Sequence, residues 1–191
     1  IRNGDHTLNN VTTQGAGTFQ ISSENVGADA VVYVNGGTHT TAFVLSGSTM
    51  AGSDATFKGP ATWSGGTISG AATTTFDNDV TITGASTKVI VGGRNVVLNG
   101  TTTWSGNTAA NNNAIRFWNG ATLTNNGIFN DANASASFLE HNVGSGNSFV
   151  NNGTYNKQSN TLTTVDLGLG FVNAGTVNVN AGTMYFASGT Q

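Results

Sequence analysis

One phrase recurs along this 191-residue chain: residues 59–70 read GPATWSGGTISG, and 100–110 read GTTTWSGNTAA. A wider template covers both: apolar, any residue, Asn/Gly/Asp, two free positions, Thr, apolar. It fits YVNGGTH (33–39) apart from the last residue, then FKGPATW (57–63), FDNDVTI (76–82) and LNGTTTW (98–104). It continues with FWNGATL (117–123), FVNNGTY (149–155) and FVNAGTV (171–177), while LTNNGIF (123–129) has Ile at the Thr position. From Phe57 the starts lie 19, 22, 19, 32 and 22 residues apart. A unit of about 20 residues cannot bury an apolar face alone, so it must stack on neighbours. The repeat therefore predicts one all-β solenoid domain over 1–191, with 1–56 less regular and 57–191 clear repeats. The longest interval holds ANASASFLEHNVGSGNS (132–148), which reads as a looped or irregular turn.

Composition agrees. Gly (27), Thr (30) and Asn (26) make up more than two fifths of the chain, and only 8% of residues are charged. Disordered chains are poor in large apolar residues, whereas here 37% are hydrophobic and spread along the whole length. Thr, Asn and Gly are poor helix formers, and no stretch keeps apolar residues at helical spacing over three turns. A net charge of -3 gives no electrostatic case for nucleic acid or an anionic membrane surface. No run of 18 apolar residues predicts a membrane span, and the absence of cysteine excludes disulfides.

Alternation along a strand sorts the side chains. It predicts an inward stack of Trp63, Ile82, Trp104, Leu123, Tyr155 and Val177. It predicts an outward ladder of Thr62, Thr81, Thr83, Thr103, Thr122, Thr124 and Thr176. Asn-Gly steps at 35–36, 99–100, 119–120, 126–127 and 152–153 are expected to supply positive-φ corners, and stacked Asn side chains could bond along the axis. Uneven rungs favour a right-handed parallel β-helix with rungs of about 20 residues over a left-handed coil with its stricter hexapeptide rhythm. An antiparallel sandwich or barrel is the competitor, but it does not require its strands to repeat one phrase.

TWSGGTISG, FVNNGTY and FVNAGTVNVNAGTM resemble the degenerate repeats of large secreted bacterial β-helix proteins: haemagglutinin-like adhesins, autotransporter passenger domains and extracellular matrix proteins. The resemblance covers roughly residues 57–190. It implies a β-helix in an extracellular or cell-surface setting, and it implies no particular activity.

Catalytic chemistry is hard to find. β-Helix polysaccharide lyases need clustered carboxylates, and of nine acidic residues only Asp77 and Asp79 form a close pair, expected as solvated corner residues. His6, His39 and His141 lie far apart, without metal-ligand spacing, and read as turn or surface residues. No nucleophile elbow, phosphate loop or dinucleotide fingerprint is present. No cofactor or metal is expected. The Thr rows raise ice binding, against which stand variable rungs. Of Phe117 and Trp118, one should face outward, where it could meet a sugar.

The ends show no capping helix and no charged terminal segment, and repeat rods use atypical caps to cover open ends. A chain that starts at Ile1 and not Met suggests a processed or excised piece. The expectation is a secreted structural β-solenoid that stacks head to tail on copies of itself, through Ile1 and Leu8 at one end and Met184, Tyr185 and Phe186 at the other. A surface adhesin that binds glycans is the alternative.

Overall fold

The computed structural model describes residues 4–23, 30–106 and 114–187, and these form strands without any helix. The strands lie in three parallel stacks, visited in turn as the chain coils through about eight turns of about 22 residues. The repeat thus folds as the sequence predicts, into an all-β solenoid.

The third stack opens the chain with His6–Asn9 (β1), and the second follows with Thr18–Ile21 (β2). The third resumes at Val31–Asn35 (β3), and Thr38–His39 (β4) starts the first. Ala42–Ala51 (β5) runs across the second and third stacks; Ala55–Phe57 (β6) belongs to the first, and Ala61–Ser69 (β7) again spans the other two. From here the order is regular. The first stack holds Thr73–Phe76 (β8), Asn95–Leu98 (β11), Thr122–Asn125 (β14), Ser148–Asn151 (β17) and Gly170–Asn173 (β20). The second holds Val80–Ile82 (β9), Thr101–Trp104 (β12), Ile128–Asp131 (β15), Thr154–Lys157 (β18) and Thr176–Val179 (β21). The third holds Lys88–Val91 (β10), Ala114–Trp118 (β13), Ser137–Val143 (β16), Leu162–Val165 (β19) and Thr183–Phe186 (β22). β16 lies inside 132–148, so that stretch is not an irregular turn. Its apolar Phe138 and Leu139, read as loop because no template match flanks them, continue the third stack.

The core is a set of vertical columns. Trp63, Ile82 and Trp104 are directly stacked neighbours and fully enclosed. The other expected inward residues also face the interior but stand in different columns. Tyr155 and Val177 follow Val80, Thr102 and Phe129, two residues earlier on the second stack. Leu123 lies on the first stack between Val96 and Phe149. The template aligned two different corners because both carry Asn-x-x-Thr, as in Asn119–Thr122 and Asn151–Thr154; the rung that matches FVNNGTY is the variant LTNNGIF, with Leu123 beside Phe149 and Phe129 beside Tyr155. Aromatic rings cluster at two levels, around Phe43, Phe57 and Phe76, and around Phe129, Phe149 and Tyr155.

The outward Thr residues also split. Thr62, Thr81 and Thr103 are stacked neighbours, and the same column continues as Asn130, Asn156 and Asn178. Thr83 follows β9, Thr122 and Thr124 lie on the first stack, and Thr176 ends another column, that of Thr101, Ile128 and Thr154. The single ladder becomes several short ones.

The corners correct a further expectation. Gly36 (φ 74) and Asn119–Gly120 (φ 55 and 79) are positive-φ turns. At Gly127, Gly153 and Gly175 the requirement is space: a Cβ on Gly153 would lie 2.0 Å from the Gly127 carbonyl oxygen, and one on Gly175 2.0 Å from that of Gly153. Successive corners nest backbone on backbone.

Candidate functional site

Exposed apolar surface concentrates at the last described rung, β20 to β22. Val172, Val179, Tyr185 and Phe186 are each about half exposed. Each of β20, β21 and β22 is the edge strand of its stack, so unpaired backbone groups accompany the apolar side chains. Met184 and Phe186 continue the inward positions Thr163 and Val165, and Phe186 meets Phe171 edge-on at 5.2 Å. Tyr185 continues the outward position of Thr164. The three residues expected to form one end contact therefore face two ways, by strand parity. At the other end Leu8 packs against the core beside Val34, and Ile1 lies outside the described residues.

The interior holds charges that the sequence reading missed. Asp131 and Lys157 follow Trp104 in its inward column, and both are fully buried. Asp131 accepts from the Tyr155 hydroxyl at 2.9 Å, from the Asn133 amide at 2.7 Å and from the Thr163 hydroxyl. Lys157 Nζ donates to the Ser159 carbonyl (2.7 Å), the Ser159 hydroxyl (2.8 Å) and the Thr161 hydroxyl (3.1 Å). Burial, reinforced by the Asp131 charge and hydrogen bond, holds the Tyr155 phenol well above its ordinary range. Burial lowers the Lys157 ammonium, and Asp131 opposes the shift. Parity carried the signal: Asp131 lies two residues past Phe129, and Lys157 two past Tyr155.

Two further buried cations tie corners. Arg94 donates to Thr74 Oγ1 (2.9 and 2.6 Å) and to the Gly52 carbonyl (2.8 Å); burial lowers it to about 10, against Asp54. Lys88 donates to the Gly84 carbonyl at 3.0 Å, and burial pushes it down to about 8. These groups are enclosed and satisfy backbone, which suits them to fixing structure.

The residues weighed for chemistry have structural partners. Asp77 accepts from the Asn99 amide (2.8 Å), and Asp79 from the Thr101 backbone N–H (3.0 Å). His39 is not a surface residue: it is fully buried, stacked on Phe57 at 4.9 Å, and desolvation lowers its pKa against a hydrogen bond with the Gly36 backbone. Parity puts it in line with Phe57 and Phe76. His6 is exposed on β1, and His141 Nδ1 pairs with the Asn147 amide at 2.8 Å. Phe117 is inward, while Trp118 faces out, half-buried between Val91 and Val143. Among the described residues no cluster of three His or acidic groups could hold a metal ion. Compared with family models, curated proteins and solved structures, the chain matches none.

Proposed function

We propose that this chain is a secreted, non-catalytic structural protein, a β-solenoid subunit that stacks end to end into a filament, fibre or surface matrix outside the cell. The observation that carries the reading is the last described rung, whose three strand edges and half-exposed Val179 and Phe186 match the interior of a solenoid cut across. Parallel stacking of like rungs is how this chain buries its own apolar surface, so another rung is the natural cover. A heterologous contact of this kind propagates into an open filament when rotation does not close it. The resemblance to secreted bacterial β-helix repeats supports the extracellular setting.

Sedimentation velocity over a concentration series tests it. The wild-type chain should form species that grow with concentration. Tyr185→Lys/Phe186→Lys should remain monomeric to at least about tenfold higher concentration, because a desolvated, unpaired ammonium opposes the contact. Equal assembly by the variant would refute the end contact.

One observation favours a second reading, a surface adhesin that binds glycan. Trp118 offers an outward indole beside the Arg116–Glu140 ion pair (2.6 Å), an arrangement of ring and polar groups on which a sugar can stack. Glycan binding lost in Trp118→Ala would support it.

A further inference from the structure

The columns can be followed from the first described rung to the last, and their ends match. The column that starts at Phe19 finishes at Val177, and the one that starts at Gln20 finishes at Asn178. On the first stack, residues 11–13 run beside β4, with the Thr40 N–H donating to the Thr13 carbonyl and Thr13 Oγ1 3.1 Å from His39 Nδ1. Thr13 therefore heads the column of His39, Phe57 and Leu98 that finishes at Asn173, and Val11 heads the neighbour that finishes at Phe171.

Hydrogen-bond sense matches as well. In the outward ladder the Asn178 amide donates back to Asn156 (2.9 Å) and Asn156 to Asn130 (3.0 Å), so a following rung must bring a donor to Asn178 Oδ1. Gln20 brings one, as Gln158 Nε2 already does for Asn130 at 3.0 Å. The buried ladder runs the other way, Asn125 donating to Asn151 and Asn151 to Asn173, each at 2.7 Å. Asn173 Nδ2 already donates to the Gly175 carbonyl (3.1 Å), which leaves one amide hydrogen for the following rung. Thr13 Oγ1, also bonded to Thr41 Oγ1 (2.8 Å), keeps a lone pair to accept it. Residues 6–23 and 167–187 contain no Asp, Glu, Lys or Arg, so no like charges oppose the approach. Ile21 is already covered, which leaves Val11 and Phe19 as the apolar contacts.

The geometry points to a second copy of this chain docked head to tail in unbroken register, Val11 on Phe171, Thr13 on Asn173, Phe19 on Val177 and Gln20 on Asn178. This rests on the end-to-end reading above and adds the register.

The chain has no cysteine, so paired single-cysteine proteins report the contact alone. Neighbouring parallel strands lie about 4.8 Å apart, within disulfide reach. Gln20→Cys is mixed with Asn178→Cys under oxidised glutathione, with Thr18→Cys and Asn178→Cys as the register-shifted control, beside sedimentation of the wild type. The inference predicts at least about tenfold more cross-linked heterodimer than in the control. A folded Gln20→Cys or Asn178→Cys that no longer assembles would also place these residues in the contact. Wild-type assembly with cross-linking no better than the control overturns the register and leaves stacking standing. A wild type that stays monomeric overturns both.

Discussion

Thr102 sits between Val80 and Phe129 in the second stack, fully buried, and its hydroxyl has no hydrogen-bond partner among the described residues. A buried hydroxyl without a partner costs about 1–3 kcal/mol. Val keeps the β-branched shape and removes that cost. Thr102→Val should therefore stabilise the chain by about 1 kcal/mol, read as a rise in Tm of about 2–4 °C; an unchanged or lower Tm would mean that the hydroxyl contributes. Asp131 is the opposite case. Its carboxylate is satisfied by Tyr155, Asn133 and Thr163, so its worth lies in the whole group. At this scale parity placed Trp63, Ile82 and Trp104 correctly as inward residues. The same parity runs through Asp131 and Lys157, but they were missed because a charge read in isolation suggests solvent, and only the neighbouring hydroxyls and amides that fold around it make burial tolerable.

Asparagine makes the elements more than repeated strands. Three ladders run along the axis: a corner ladder from Asp77 through Asn99 and Asn126 to Asn152, an outward one from Asn130 to Asn178, and a buried one from Asn125 to Asn173. Each rung fixes the height and register of the next, as stacked amides do in cross-β assemblies. The buried ladder also satisfies backbone, since the Asn125 amide reaches the Thr154 carbonyl (3.1 Å) and the Asn151 amide the Thr176 carbonyl (3.0 Å). Adjacent Asn151 and Asn152 differ only in the face they occupy. Asn151→Ala should cost about 2–3 kcal/mol, because buried partners are left unsatisfied. Asn152→Ala, on the exposed corner, should cost under about 1 kcal/mol. Chemical denaturation of the two variants checks this, and equal losses would contradict the buried ladder. That Asn could bond along the axis was legible in the sequence. Which Asn does so was not, because the template shares Asn-x-x-Thr between two corners and so fixes period without register.

For the whole molecule, the period of 19 to 22 residues was enough to select a solenoid over a sandwich, since only stacking explains a repeated phrase. The β16 rung escaped because Phe138 and Leu139 carry no Asn-Gly corner before them, although Leu139 continues the column from Ile115 to Val165. The end contact was partly legible: apolar residues close the last rung, but parity turns Tyr185 outward and leaves Phe186 and Val179 as the open core. Each interior rung is held by parallel neighbours on both sides, and the account gives the last rung the same kind of neighbour from another copy. Electron microscopy of the purified chain across a concentration series, with diffraction from aligned material, tests this most directly. The account predicts unbranched filaments that lengthen with concentration and an axial repeat of about 4.8 Å. Discrete rods of roughly 40 Å, eight rungs at about 4.8 Å each, unchanged at every concentration, would contradict it.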